Sequence, residues 1–128
     1  MIQIAKTEKL KNFDKLKELV EQQKYFEEES LQYDYKGSDK EEIWNCMEFF
    51  YENLYHKAFR PYIYSANDDW ENYHIQLEYN GKYTEVEIVY GIGAFCVIYP
   101  MNHKPTNASK VIDLNKLTIN NGIVEYEE

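Results

Sequence analysis

Three histidines, two cysteines and 23 carboxylates are the side chains of this 128-residue chain with reactive chemistry to offer. A histidine metal site needs three or four ligands that converge, typically through His-x-x-x-His or Glu-x-x-His spacing on one helix. His56, His74 and His103 have no such spacing, and local pattern assigns them to a helix, a strand and a loop. No metal is expected. A Cys-His nucleophile pair would require distant segments to meet, because Cys46 and Cys96 both lie inside apolar runs. Buried thiols keep their protons, so both cysteines read as reduced and structural. Acid-base pairs need carboxylates at fixed separation, one of them in an apolar setting. Asp68-Asp69 lies instead in a turn-rich stretch, Ser65-Ala66-Asn67-Asp68-Asp69, whose Asx side chains bond their own backbone. Gly91-Ile92-Gly93 follows a strand pattern like half of a dinucleotide fingerprint, but a β-like run comes after it where a phosphate site needs a helix N-terminus. These glycines read as a bulge or tight connection between Tyr90 and Ala94. The expectation is a non-enzymatic protein without a cofactor.

The elements that position these residues follow from periodicity. Met1-Ile2-Gln3-Ile4-Ala5-Lys6 leads into a charged amphipathic stretch without the apolar core of a signal peptide, and no window is apolar enough to span a membrane. From Thr7, a candidate N-cap, Leu10, Phe13, Leu16, Leu19 and Val20 share one broad helical face, so a first helix is expected to run to about Tyr25. Ser38-Asp39-Lys40-Glu41 has the capping-box pattern and starts a second helix. On a helical wheel Ile43, Trp44, Met47, Phe50, Tyr51, Leu54 and Ala58 form its core flank, while Glu41, Glu48 and Glu52 group on another side with Asn45. Phe49 falls between Glu42 and His56, either packed under a second layer or exposed.

Beyond Pro61 the period becomes two. Tyr73, Ile75, Leu77 and Tyr79 alternate with polar residues up to Asn80-Gly81, the strongest short hairpin signal, because a type I′ turn needs positive φ at both central residues. The two-residue turn pairs Ile75 with Val86 and Tyr73 with Ile88, and on the other face Gln76 with Glu85 and an exposed His74 with Glu87. Ala94 to Tyr99 is continuously apolar, which predicts a central strand buried on both faces. Phe59–Tyr64, Ile123–Tyr126 and Lys110–Leu114 are weaker strands, and Met101–Ser109 is a loop. The fold class is α+β: two N-terminal helices packed on one face of a curved antiparallel sheet of about four to five strands. Residues 1–128 read as a single domain, with a helical front at about 7–58 and a sheet at about 59–126.

The formal charge of -9 excludes a direct nucleic-acid binder, whose affinity comes from neutralised phosphates. Its distribution is uneven. Residues 1–24 carry six Lys and four acids, residues 25–56 two Lys and nine acids, and residues 57–128 six basic and ten acidic residues, giving +2, -7 and -4. The acidic quarter interleaves tyrosines with Glu27-Glu28-Glu29, Tyr33-Asp34-Tyr35 and the Glu41/Glu48/Glu52 side of the second helix, beside Phe49. Aromatics anchor interfaces and clustered carboxylates steer a basic partner. In size, acidity and lack of catalytic motif the chain resembles the small acidic cytosolic immunity proteins that protect bacteria from toxins, and also phage-encoded anti-defence inhibitors that imitate nucleic acid. The resemblance implies a cytoplasmic monomer or homodimer that binds a basic protein, either a toxin or another nucleic-acid enzyme. On that expectation Glu27, Glu28, Glu29, Tyr33, Asp34, Tyr35, Glu41, Glu48, Phe49 and Glu52 form the partner surface. An alternative expectation is a cystatin-like, cone-shaped small-ligand or catalytic domain with a pocket lined by Tyr62, Tyr64, Tyr73 or Tyr99.

Overall fold

Asn80 and Gly81 adopt left-handed backbone, with φ of 51° and 80°, and join two ten-residue strands, β4 (Trp70–Tyr79) and β5 (Lys82–Gly91). Ile75 faces Val86, Tyr73 faces Ile88, Gln76 faces Glu85 and His74 faces Glu87, the register that the turn imposes. A computed structural model of the chain describes residues 1–29, 37–53, 56, 59, 62–66, 70–91, 94–104 and 111–127, without the side chains of 29, 62–66 and 94. Tyr33, Asp34, Tyr35, Leu54, Ala58, Asp68 and Asp69 therefore lie outside the described residues, as do the side chains of Tyr62 and Tyr64.

Among the described residues the fold is α+β, with two helices and two mostly antiparallel sheets. The larger sheet has the order β2-β6-β5-β4-β3, using β2 (Phe26–Glu29), β3 (Tyr62–Ala66) and β6 (Ala94–Met101). A short strand, β7 (Val111–Asp113), pairs in parallel with Gln76–Glu78 of β4. The smaller sheet joins β1 (Ile2–Lys6), β9 (Ile123–Tyr126) and β8 (Leu117–Asn120).

The chain thus opens with a strand, and the front is not wholly helical. Short β1 and β2 have little room for a period to show. β8 and β9 are joined through Asn121-Gly122, a second turn with φ of 50° and 76°. The first helix, α1 (Asp14–Glu21), is shorter than the expected Thr7–Tyr25. Thr7 does not cap it: its hydroxyl accepts the Leu10 amide at 3.4 Å, but the helix begins only at Asp14, with Phe13 at the N-cap, and the Thr7 amide donates to the Gly122 carbonyl at 2.8 Å, tying the end of β1 to the β8–β9 turn. Leu10 and Phe13 are buried before the helix begins, so helical spacing there reflects packing alone. At its other end Gln23 takes φ of 55°, and Gln23 and Lys24 donate to the Val20 and Leu19 carbonyls, the bonds of a Schellman stop. That stop frees the chain to enter β2.

The second helix, α2 (Asp39–Glu52), begins where the capping pattern places it, and Ser38 Oγ accepts the Glu41 amide at 3.3 Å. Its buried residues are Ile43, Trp44, Cys46, Met47, Phe49 and Phe50. One apolar cluster includes these residues, Leu16, Leu19 and Val20 of α1, Tyr73, Ile75 and Leu77 of β4, Val86 and Ile88 of β5, and Cys96 and Ile98 of β6. Phe59, expected to open a strand, lies before β3 and is buried against Phe49, Phe50 and Tyr126. β6 is paired on both edges, yet Phe95, Val97 and Tyr99 are only half-buried between buried Cys96 and Ile98. The expectation of burial on both faces is corrected to burial on one. Both cysteines are buried and free.

Candidate protein-binding surface

Strand alternation sends odd-numbered residues of β4 and even-numbered residues of β5 and β6 into the core, so their neighbours occupy the opposite face. Register then builds rows across that outer face. Glu27 of β2 stands opposite Val97, Val97 opposite Glu87, and Glu87 opposite His74. An adjacent row runs Tyr99, Glu85, Gln76, and the row on the other side runs Glu29, Phe95, Val89, Asn72. Neighbouring strands lie about 4.8 Å apart, so Glu27 and Glu87 are separated by roughly 10 Å of backbone.

His74 is the centre of a polar cluster. Its Nδ1 lies 3.4 Å from Glu85 Oε1 and its Nε2 3.6 Å from Glu87 Oε2. Tyr99 donates its hydroxyl to Glu85 Oε2 at 2.7 Å, and Asn72 donates its amide N–H to Glu87 Oε1 at 2.9 Å. The expected exposed His74–Glu87 pair is corrected: the imidazole side chain is 12% exposed and sits closer to the diagonal Glu85 than to the directly opposed Glu87. Tyr25, exposed just ahead of β2, donates to Glu27 Oε2 at 2.6 Å. Its phenol pKa is raised, first by that bond and further by the charges of Glu27 and Glu87, so Tyr25 shares their field.

The acids expected to form one surface divide between elements. Glu27 and Glu28 are neighbours on a strand and therefore face opposite ways. Glu28 turns toward α2, where Lys40 Nζ meets it at 3.2 Å. Glu48 accepts the Trp44 indole N–H at 2.8 Å and meets Lys9 Nζ at 3.5 Å, and Asp39 pairs with Lys15 at 3.5 Å. Glu41 and exposed Glu52 stand on α2 without an ion pair among the described residues. Glu29 is placed opposite Phe95 by register. Phe49 is 4% exposed and packs edge-on against Phe13, Phe50 and Phe59, so it belongs to the core and offers no ring to a partner.

Sequence pattern pointed to the His74–Glu87 and Gln76–Glu85 pairs but to neither Tyr99 nor Asn72 as their partners. The parity of Tyr99 on β6 was the available signal. It needed the β5–β6 register, which no Asn-Gly turn marks. Tyr73, a candidate pocket residue, is 3% exposed in the core, on the opposite side of the sheet from Tyr99. Among the described residues no three His, Cys, Asp or Glu side chains are grouped to hold a metal, and no helix is long and apolar enough to cross a membrane. Compared with family models, curated proteins and solved structures, the chain matches none.

Proposed function

We propose that the chain is a non-enzymatic inhibitor of a basic protein, of the immunity type that neutralises a cognate toxin with a positive, nuclease-like cleft. In this reading both helices cover one face of a curved sheet, and the other face meets the partner. One observation carries it. Glu27, Glu85 and Glu87 share the outer face with Tyr25 and Tyr99, and no Lys or Arg pairs with these three carboxylates among the described residues. By contrast Glu28, Asp39 and Glu48 are matched internally by Lys40, Lys15 and Lys9. Unmatched carboxylates beside exposed or half-exposed tyrosines provide electrostatic steering and aromatic anchors together. A phage-encoded anti-defence inhibitor would use the same chemistry on a different partner.

The test is affinity purification of the tagged chain from the cells that express it, followed by assay of the captured protein's activity. A stoichiometric basic partner that the chain inactivates is expected. Reversing Glu27 and Glu87 to Lys should slow association at least tenfold at low salt, with less effect at high salt. The pair Glu41→Lys and Glu52→Lys measures any contribution of α2. Inhibition that survives both double reversals, or a chain that captures no basic protein, overturns the reading.

A further inference from the structure

The chain has two Asn-Gly dipeptides, Asn80-Gly81 and Asn121-Gly122, and each forms a left-handed two-residue turn. An asparagine before glycine is also the pair most prone to lose its side-chain ammonia, because a glycine has no Cβ to hinder attack of its nitrogen on the Asn Cγ. In a type I′ turn that nitrogen is rotated away from the Asn side chain, so each turn must open before a ring can close. The same chemistry is thus held in check by two different surroundings.

Asn80 is held firmly. Its Nδ2 donates to Glu21 Oε2 at 3.0 Å and its Oδ1 accepts the Asn115 amide N–H at 3.0 Å, so α1 and the segment between β7 and β8 fix both ends of its side-chain amide. Its turn closes a ladder of ten residue pairs between β4 and β5, and each of those strands is paired along its other edge as well. Asn121 stands exposed at the tip of a ladder of four pairs, and β8 is last in the order β1-β9-β8. The free energy of local opening grows with the pairing that must break, so four pairs release their turn far more often than ten. The Thr7 amide bonds the Gly122 carbonyl, but that carbonyl lies beyond the reacting nitrogen, so the bond does not fix rotation about the Asn121 Cα–C bond.

We infer that Asn121 is a site of spontaneous deamidation whose product loosens the three-stranded sheet, while the β4–β5 hairpin is spared. Hydroxide takes the Gly122 amide proton, the nitrogen bonds to Asn121 Cγ, and the Cγ–Nδ2 bond breaks to release ammonia, whose third hydrogen comes from water and regenerates hydroxide. Water then opens the cyclic imide. Cleavage of the bond to Cγ leaves an aspartate at position 121, and cleavage at the backbone carbonyl leaves an isoaspartate, whose main chain is longer by one methylene. The net change is water in and ammonia out, with no oxidation and one more carboxylate. A Cβ on Gly122 would already lie 2.7 Å from the Thr7 oxygen, so the turn has no slack for a longer chain, and the Thr7 bond to Gly122 is lost when it lengthens.

The folded full chain is incubated in mildly alkaline buffer beside a sample in concentrated urea, and peptide mapping by mass spectrometry follows the gain of one mass unit and the isoaspartate isomer at each site. In the folded chain position 121 should convert at least tenfold faster than position 80, and in urea the two rates should agree within threefold. Glu21 and Asn115 are exposed, so Glu21→Ala with Asn115→Ala leaves the core intact. This variant should raise the folded rate at position 80 at least twofold and leave its urea rate unchanged. The isoaspartate form, separated chromatographically, should unfold at a Tm lower by about 3 °C or more, whereas Asn121→Asp, which adds the charge without the length, should stay within about 1 °C of the unmodified chain. Equal folded rates, faster conversion at position 80, or a tenfold difference that persists in urea overturns the inference, as does a rate at position 80 that is indifferent to loss of Glu21 and Asn115. An isoaspartate form with the Tm of the unmodified chain overturns the loosening of the three-stranded sheet.

Discussion

Trp44 donates its indole N–H to Glu48 at 2.8 Å, one helical turn further along α2. The acid that a helical wheel groups with Glu41 and Glu52 as a partner surface is thus engaged within its own helix, and Lys9 meets its other oxygen. Composition counts Glu48 as surface charge, but the indole beneath it is 6% exposed and needs an acceptor.

Removing Lys9 and removing Glu48 should therefore have unequal effects. Lys9 is 73% exposed, so Lys9→Ala should change stability by less than about 1 kcal/mol. Glu48→Ala leaves a buried indole N–H unpaired and should destabilise by about 1–3 kcal/mol, most of which Glu48→Gln should restore. Urea unfolding of the three variants measures the difference, and equal losses for Lys9→Ala and Glu48→Ala would refute the assignment.

The two Asn-Gly turns should respond differently to the same substitution. An alanine Cβ at Gly81 would meet nothing within 4 Å, so Gly81→Ala costs only the left-handed backbone, about 1–2 kcal/mol. At Gly122 that Cβ would lie 2.7 Å from the Thr7 carbonyl oxygen, a backbone atom held by the β1 pairing. Gly122→Ala should lose roughly 1–3 kcal/mol more than Gly81→Ala. Thermal unfolding of the pair decides, and the reverse order would contradict the packing of β1 on that turn.

Burial raises both thiols, Cys96 to about 12 from an ordinary value near 9 and Cys46 further still. The neutral thiol is the form that the fold favours. Above pH 9 the unfolded chain releases these protons while the folded chain keeps them, so stability is fully present below pH 9 and is lost as pH rises toward 12. Each thiol contributes a slope of at most about 1.4 kcal/mol per pH unit in that window. Urea midpoints between pH 8.5 and 10.5 should fall less steeply in Cys46→Ala with Cys96→Ala than in the wild type. Identical slopes would mean that the thiols are accessible in the folded chain.

Legibility in the sequence tracked how local the deciding interaction was. The hairpin at Asn80-Gly81 and the cap at Ser38 were readable because each is set by residues within a few positions of one another. β1 and β2 were not: five- and four-residue strands show almost no period, and each exists because it pairs with a strand some 70 to 120 positions away. The helical spacing of Leu10 and Phe13 misled for the same reason, since both are buried by tertiary contact ahead of the helix. Phe49 lies off the main stripe of α2, yet Phe13 and Phe59 approach from elsewhere and enclose it.

The sequence by itself determined the α+β class, the register of β4 on β5, the start of α2 and an acidic excess concentrated in residues 25–56. Those follow from turn stereochemistry, capping chemistry and charge count, which act over short spans. Tertiary structure alone decided which carboxylates are matched. Strand alternation turned Glu28 toward Lys40 and Glu27 away from it, and sheet order gathered Glu85, Glu87, His74, Asn72 and Tyr99 from three strands onto one face. Charge along a chain adds by position, but its compensation depends on distances of a few ångströms between strands, and only the folded sheet sets those.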